Sequence, residues 1–201
     1  MPKAWVRERK RDYYYRLAKE EQYRSRAAYK LLETTRKFDL IKTGDVVVDL
    51  GATPGGWMQA ARKAVGETGF VLGVDLKPIE PIEDTNVRSI LGDITQLETV
   101  ELIREFLPRA ADVVLSDVSP NISGVWELDH ARQIDLAGKS LQLALSVLRL
   151  GGNFFVKVFQ GEMLDDFVSD MRQNFAFVRL IKPKASRRKS AELYVLGLRK
   201  R

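Results

Sequence analysis

The chain is 201 residues long, with no cysteine and one histidine, His130, which excludes disulfide frameworks, cysteine nucleophiles, and thiolate or multi-histidine metal centres. Its net charge of +6 is uneven: residues 1–30 hold ten Lys/Arg against four Asp/Glu, residues 179–201 hold nine against one, and the span between them comes to −8. Basic ends around an acidic body fit contact with a polyanion such as nucleic acid, although two solvated tails would show the same charge.

The first segment, residues 1–25, reads as a basic extension with Tyr13, Tyr14, Tyr15 and Tyr23 among its arginines. It is too charged for a signal peptide, and no later apolar run approaches a membrane span, so a cytoplasmic protein without membrane contact is expected. Residues 26–201 read as one domain. A helix over 26–38 ends near Gly44, and strands are predicted at 46–49, 70–75, 87–90, 113–116, 152–159, 177–181 and 193–198. Helices fit between them at 57–65, 98–106, 130–149 and 163–174. In the longest of these Ile134, Leu141, Leu145 and Leu148 share one face, and Gly151-Gly152 stops it. This β/α alternation predicts an α/β fold, a mostly parallel sheet with helices on both faces. The connection 182–191 is too short for a parallel crossover, so the last two strands should form an antiparallel hairpin.

The chemistry gathers at strand ends. Residues 46–57 read VVVDLGATPGGW, an apolar strand ending in an acid and breaking into a glycine turn. Such a turn lets backbone approach a nucleotide-like ligand at the carboxyl edge of the sheet, or simply links strand to helix. The spacing is neither the G-x-G-x-x-G of dinucleotide sites nor a P-loop. Asp75 ends the second strand, where a carboxylate typically accepts from ribose hydroxyls. Asp93 follows the third strand and Asp117 ends the fourth. Each acid singly could be a helix cap or turn former. Together with the turn they fit an adenosine-bearing ligand without pyrophosphate, and S-adenosylmethionine matches. Lys157 lies inside the apolar run NFFVKVFQGE, where a charge must be paired or functional. Lys30 in SRAAYKLLE and Glu192 in SAELYVL have, in isolation, bland readings as a solvated helix residue and a strand-edge charge.

Taken together, SRAAYKL, VVDLGATPGGW, GVDLKPIEPI, LSDVSPNISG, FFVKVFQGE and SRRKSAELYVL resemble the FtsJ/RrmJ-type large-subunit ribosomal RNA (ribose-2′-O)-methyltransferases over nearly the whole chain. The resemblance implies a Rossmann-like, seven-stranded sheet whose last strand is inserted antiparallel, in a catalytic domain spanning 26–201. It implies a catalytic tetrad of Lys157, Asp117, Lys30 and Glu192, and cofactor-binding positions at Gly55, Trp57, Asp75, Asp93 and Asp117, with S-adenosylmethionine as cofactor and no metal. The implied reaction is 2′-O-methylation of a uridine in 23S-type RNA, with ribosomal RNA or the large subunit as partner and a monomeric enzyme. Lys157 would act as base, oriented by Asp117, while Lys30 and Glu192 position the ribose. Burial, Lys30 and the sulfonium would lower the Lys157 pKa, whereas Asp117 and Glu192 oppose this, and the sequence leaves the balance open. Lys3, Arg7, Arg9, Lys10, Arg11, Arg24, Arg26, Arg187, Arg188 and Lys189 would form the RNA surface. Thr53 stands where the bacterial pattern has a second alanine, and the basic N-terminus differs in sequence. A tRNA target, a protein or small-molecule methyl acceptor, and a non-catalytic RNA-binding protein remain as alternatives.

Overall fold

Successive residues of the central strands point to opposite apolar layers, and that alternation builds the molecule. In the computed structural model, which describes residues 12–187 and 189–201, β1 (Val46–Leu50) sends Val47 to one layer and Val48 and Leu50 to the other. β2 (Phe70–Asp75), β3 (Val87–Leu91), β4 (Ala111–Ser116) and β5 (Leu148–Phe159) extend it as parallel neighbours. β6 (Phe175–Ile181) and β7 (Glu192–Lys200) form the expected antiparallel pair, and β7 also inserts between β5 and β6. The order is β3-β2-β1-β4-β5-β7-β6, so β7 alone runs against the rest.

One face is covered by α1 (Tyr13–Glu20), α2 (Ala28–Phe38) and α3 (Gly56–Val65). The other is covered by α4 (Leu97–Phe106), α5 (Trp126–Val147) and α6 (Leu164–Asn174). α1 was not anticipated. Its N-cap Asp12 accepts from the Tyr15 amide, and Ala18 and Tyr23 are buried in the same apolar cluster as Leu31 of α2 and Met58 of α3. Residues 12–25 therefore pack onto the domain, while Lys3, Arg7, Arg9, Lys10 and Arg11 lie outside the described residues.

α5 differs from expectation at both ends. It starts at Trp126, because the Asp129 carboxylate accepts from the Ser123 amide and hydroxyl (both 2.8 Å) and the Gly124 amide (3.1 Å), pinning the chain that enters the helix. It stops at Val147 because Leu148 turns extended and pairs with Ala111. The ammonium of Lys200 donates to the carbonyls of Leu145 and Leu148, satisfying groups the helix end leaves free.

Asp112, 4% exposed, ties the far end of the sheet together. Its carboxylate accepts from the Val46 amide at 2.7 Å, Arg149 Nε at 2.5 Å and Arg109 Nη1 at 2.6 Å. Burial alone would raise its pKa, but these donors outweigh burial and hold it below the usual carboxylate value. A depressed carboxylate stabilises above its unfolded pKa and loses that contribution as pH falls through its folded value. Asp112→Ala should therefore cost about 2–3 kcal/mol at pH 7, reduced from a fully buried pair because both arginines are half exposed, and progressively less at an acid pH below the unfolded carboxylate value. Urea denaturation at the two pH values measures this; an equal loss at both would show that charge is not the cause.

Candidate active site

The carboxyl ends of β1 to β4 open into one cleft of about 570 Å³, bordered by Gly51, Asp75, Asp93 and Asp117. Gly51 (φ 72°) shapes its floor, since a Cβ there would sit 2.8 Å from the Val118 side chain. Gly55 (φ 104°) begins α3, and a Cβ on the adjacent Gly56 would lie 2.2 Å from Ser25 Oγ. The turn is thus pressed against the segment before α2 as well as against the cleft. Asp75 is fixed by two amides, Thr53 at 2.9 Å and Lys77 at 2.9 Å, one on each oxygen, leaving each a second lone pair for a ligand. Asp93 accepts from the Thr95 amide at 2.9 Å and also lines the cleft, so it is a turn former and a wall residue at once. Trp57 is 3% exposed, donates from Nε1 to the Ala27 carbonyl at 2.7 Å and stacks on Phe155. It borders a narrower hollow with Asp49, Gly51, Ser25 and Asp117.

Asp49 is the residue sequence reasoning passed over in that hollow. It is 1% exposed, and neither carboxylate oxygen has a hydrogen-bond partner. Burial, then the neighbouring charges of Asp117 and Asp75, raise its pKa well above the ordinary value. Its position, the acid at the end of an apolar strand before the glycine turn, was the available signal.

The tetrad residues come from four elements and meet in one connected array. Lys30, on α2, places Nζ 2.5 Å from Glu192 Oε1 and 2.9 Å from the hydroxyl of Tyr194. Tyr194 donates to Asp117 Oδ1 at 2.8 Å. Lys157 donates to the Asp117 carbonyl at 2.6 Å and lies 3.3 Å from its Oδ1. Lys157 and Tyr194 are opposed in the β5–β7 register, and Phe159 opposes Glu192, so insertion of β7 sets the phenol opposite Lys157 and brings the acid to Lys30. Tyr194 was not anticipated, yet it lies two residues after Glu192, on the same side of a strand. Burial, then the charges of Asp117 and Glu192, push its phenol far above the ordinary value, so it stays protonated and donates. Burial opposes ionisation of Asp117, but the ammonium groups of Lys157 and Lys30 and the Tyr194 hydroxyl outweigh it and hold the carboxyl below its usual range.

Two arginines expected on the RNA surface are engaged within the protein. Arg24 donates to the carbonyls of Pro54, Glu80 and Pro81, clamping the glycine turn to the loop after β2. Arg26 pairs with Asp12 and with the Ala185 carbonyl. Arg187 and Lys189 are exposed, and Arg188 lies outside the described residues. Among the described residues no group of three or more His, Cys, Asp or Glu could hold a metal, and no helix is long and apolar enough to cross a membrane.

A seven-stranded sheet with one inserted antiparallel strand, carrying an acid-bordered cleft beside a buried lysine, defines a methyltransferase of Rossmann-like fold. Fibrillarin from Aeropyrum pernix, solved with S-adenosyl-L-methionine bound, shares this fold with a TM-score of 0.61 at 18% identity over 88% of this chain and 75% of that one. Residues 23–200 match the FtsJ-like methyltransferase model, and the chain belongs to that family. The ribosomal RNA large subunit methyltransferase E of Methanocaldococcus jannaschii is 52% identical over 98% of this chain and 82% of its own length. The protein of the same name from Archaeoglobus fulgidus is 53% identical over 94% and 96%. A solved Plasmodium falciparum structure, assigned as a ribosomal RNA methyltransferase, has a TM-score of 0.79 at 27% identity, over 89% of this chain and 98% of that one.

Proposed function

We propose that this enzyme uses S-adenosylmethionine to methylate a ribose 2′-hydroxyl of ribosomal RNA, at a uridine of the 23S-type large-subunit molecule, acting in the cytoplasm. The observation that carries the reading is the Lys157–Asp117–Tyr194–Lys30–Glu192 array beside the acid-bordered cleft. The cleft suits this cofactor on its own chemistry. Asp75 keeps acceptors for a ribose diol, and Asp49 is a buried carboxylate without a counter-charge that a cationic amino-acid head would satisfy. The relatives named for large-subunit ribosomal RNA support the substrate.

When bound, the cofactor supplies an electrophilic methyl group. The protein's part is to hold the acceptor hydroxyl in line and to take its proton. Lys157, in the neutral-amine form, is the group for that proton, and Asp117 aims its nitrogen through both the backbone carbonyl and the carboxylate. Lys30 and Glu192, paired at 2.5 Å, present a donor and an acceptor to the sugar, and Ser186 steadies Glu192 from 3.0 Å. Exposed Arg187 and Lys189 sit on the loop before β7 and supply phosphate contacts near this edge.

Methyl transfer from labelled S-adenosylmethionine to large subunits, free ribosomal RNA and tRNA, with the product mapped, tests the reading. We expect a single 2′-O-methyluridine in the large-subunit RNA and binding that weakens steeply with salt. Methylation confined to tRNA would replace the target, and a methylated base or no transfer would overturn the chemistry.

A further inference from the structure

We infer that Trp126 is a stacking platform for an unpaired base of the substrate RNA, within about a nucleotide of the reacting ribose; this rests on the reaction proposed above. Trp126 opens α5 and is 45% exposed, although a large indole of this kind is normally buried. It is held flat. One neighbour is His130, with ring centroids 5.9 Å apart and planes 18° apart; the other is Phe159, at 6.0 Å and 24°. His130 is itself buried and fixed, since Nε2 accepts from the Met163 amide at 3.2 Å and the chain at Gly161 lies against the ring so closely that a Cβ would sit 2.6 Å from it. The loop that delivers Trp126 is pinned by the three Asp129 bonds described above. A rigid, presented aromatic binds a planar partner without paying to order itself.

Position and charge select the partner. Phe159, which backs the indole, opposes Glu192 across the β5–β7 pair and lies two residues beyond Lys157, so the platform continues directly from the tetrad. The two segments that build it, 118–131 and 158–171, contain no Lys or Arg, and Glu127 and Glu162 are exposed beside it. Phosphate would be repelled there. An uncharged base, whose backbone stays on the basic side of the site, is the part of an RNA that fits. Ile122 and Met163, on the same two segments, are exposed apolar side chains, which suit a base more than a phosphate backbone.

The test uses the full chain with fluorescein-labelled oligouridylate and a labelled RNA duplex as binding probes, and the RNA substrate for kinetics. Trp126→Ala should weaken oligouridylate binding about tenfold, within the roughly 5- to 150-fold range for losing one base stack, and raise KM far more than it lowers kcat. Duplex binding and cofactor affinity should stay at wild-type values. Trp126→Phe should recover affinity to within about threefold, as a smaller platform would. Oligouridylate should also quench indole emission in the wild type more than in Trp126→Phe, a readout that does not depend on how the alanine variant folds. Unchanged oligouridylate affinity, or equal losses on single strand and duplex, would overturn the platform while leaving the proposed reaction intact. A wild-type protein that binds neither probe and methylates no RNA would overturn both.

Discussion

Lys157→Ala should lower single-turnover methyl transfer by about 10²- to 10⁴-fold while leaving S-adenosylmethionine affinity within about twofold of wild type. The split follows from where the side chain reaches. Its ammonium meets the Asp117 carbonyl and carboxylate on the array side of the site. Asp75 and Asp93, which border the cleft, are held instead by the backbone amides of Thr53 and Thr95. Asp117 keeps the Tyr194 hydroxyl as donor, so the array is weakened but not dissolved. Lys157→Met is the better-packed control, because it retains most of the stem in a strand that is buried on both sides. Both variants should lose the chemical step and keep RNA affinity. Because Asp117 is depressed, its contribution is present above its unfolded pKa and lost only as pH falls through its lower folded value. The array's Asp117 contacts are therefore intact through the neutral range. Transfer by Lys157→Ala within tenfold of wild type would remove Lys157 from that role.

The strands and the antiparallel pairing were legible because period-two apolar runs, and a connection too short for a crossover, leave few alternatives. The clustering of Lys30, Asp117, Lys157 and Glu192 was legible only from the four motifs taken as a set. Lys30 is ordinary on its helix, and nothing within SRAAYKLLE says that its amine crosses to β7. Tyr194 was missed because a tyrosine among apolar strand residues normally reads as packing; its role is decided by hydroxyl contacts to Lys30 on α2 and Asp117 after β4, which sequence spacing does not show. Arg24 and Arg26 illustrate the opposite error. Charge counts cannot say which guanidinium ends on protein carbonyls, as these two do. α1 escaped notice because YYYRLAKE offers one small apolar contact, Ala18, and relies on tyrosine packing, Tyr14 against Tyr29, instead of an aliphatic stripe. The start of α5 was hidden for a related reason: Asp129 secures it from inside the helix, not from the cap position.

Asp49→Asn should weaken S-adenosylmethionine binding about 10- to 100-fold, yet leave the ligand-free protein at least as stable as wild type at neutral pH. Loss of a charge-assisted contact to a cationic head sets the first magnitude. The second expectation comes from linkage. Asp49 has no donor on either oxygen, and burial, Asp117 and Asp75 all disfavour its charge, so its folded pKa is raised. Between the unfolded value of roughly 4 and the folded value, the native state holds a proton that the unfolded chain releases, so stability falls as pH rises across that window. Asparagine has no proton to hold, and the slope should flatten. A cation entering the hollow reverses the preference and favours the carboxylate. Cofactor binding should then expel a proton from the wild type below the folded pKa, and not from Asp49→Asn. Calorimetric titrations in buffers of different ionisation enthalpy measure that proton directly, independent of turnover. Equal cofactor affinity in the two proteins, or no proton release from wild type anywhere between pH 5 and pH 8, would mean that the cation does not reach Asp49. The unpartnered Asp49 carboxyl would then be a stability cost that the acid-bordered cleft carries without return.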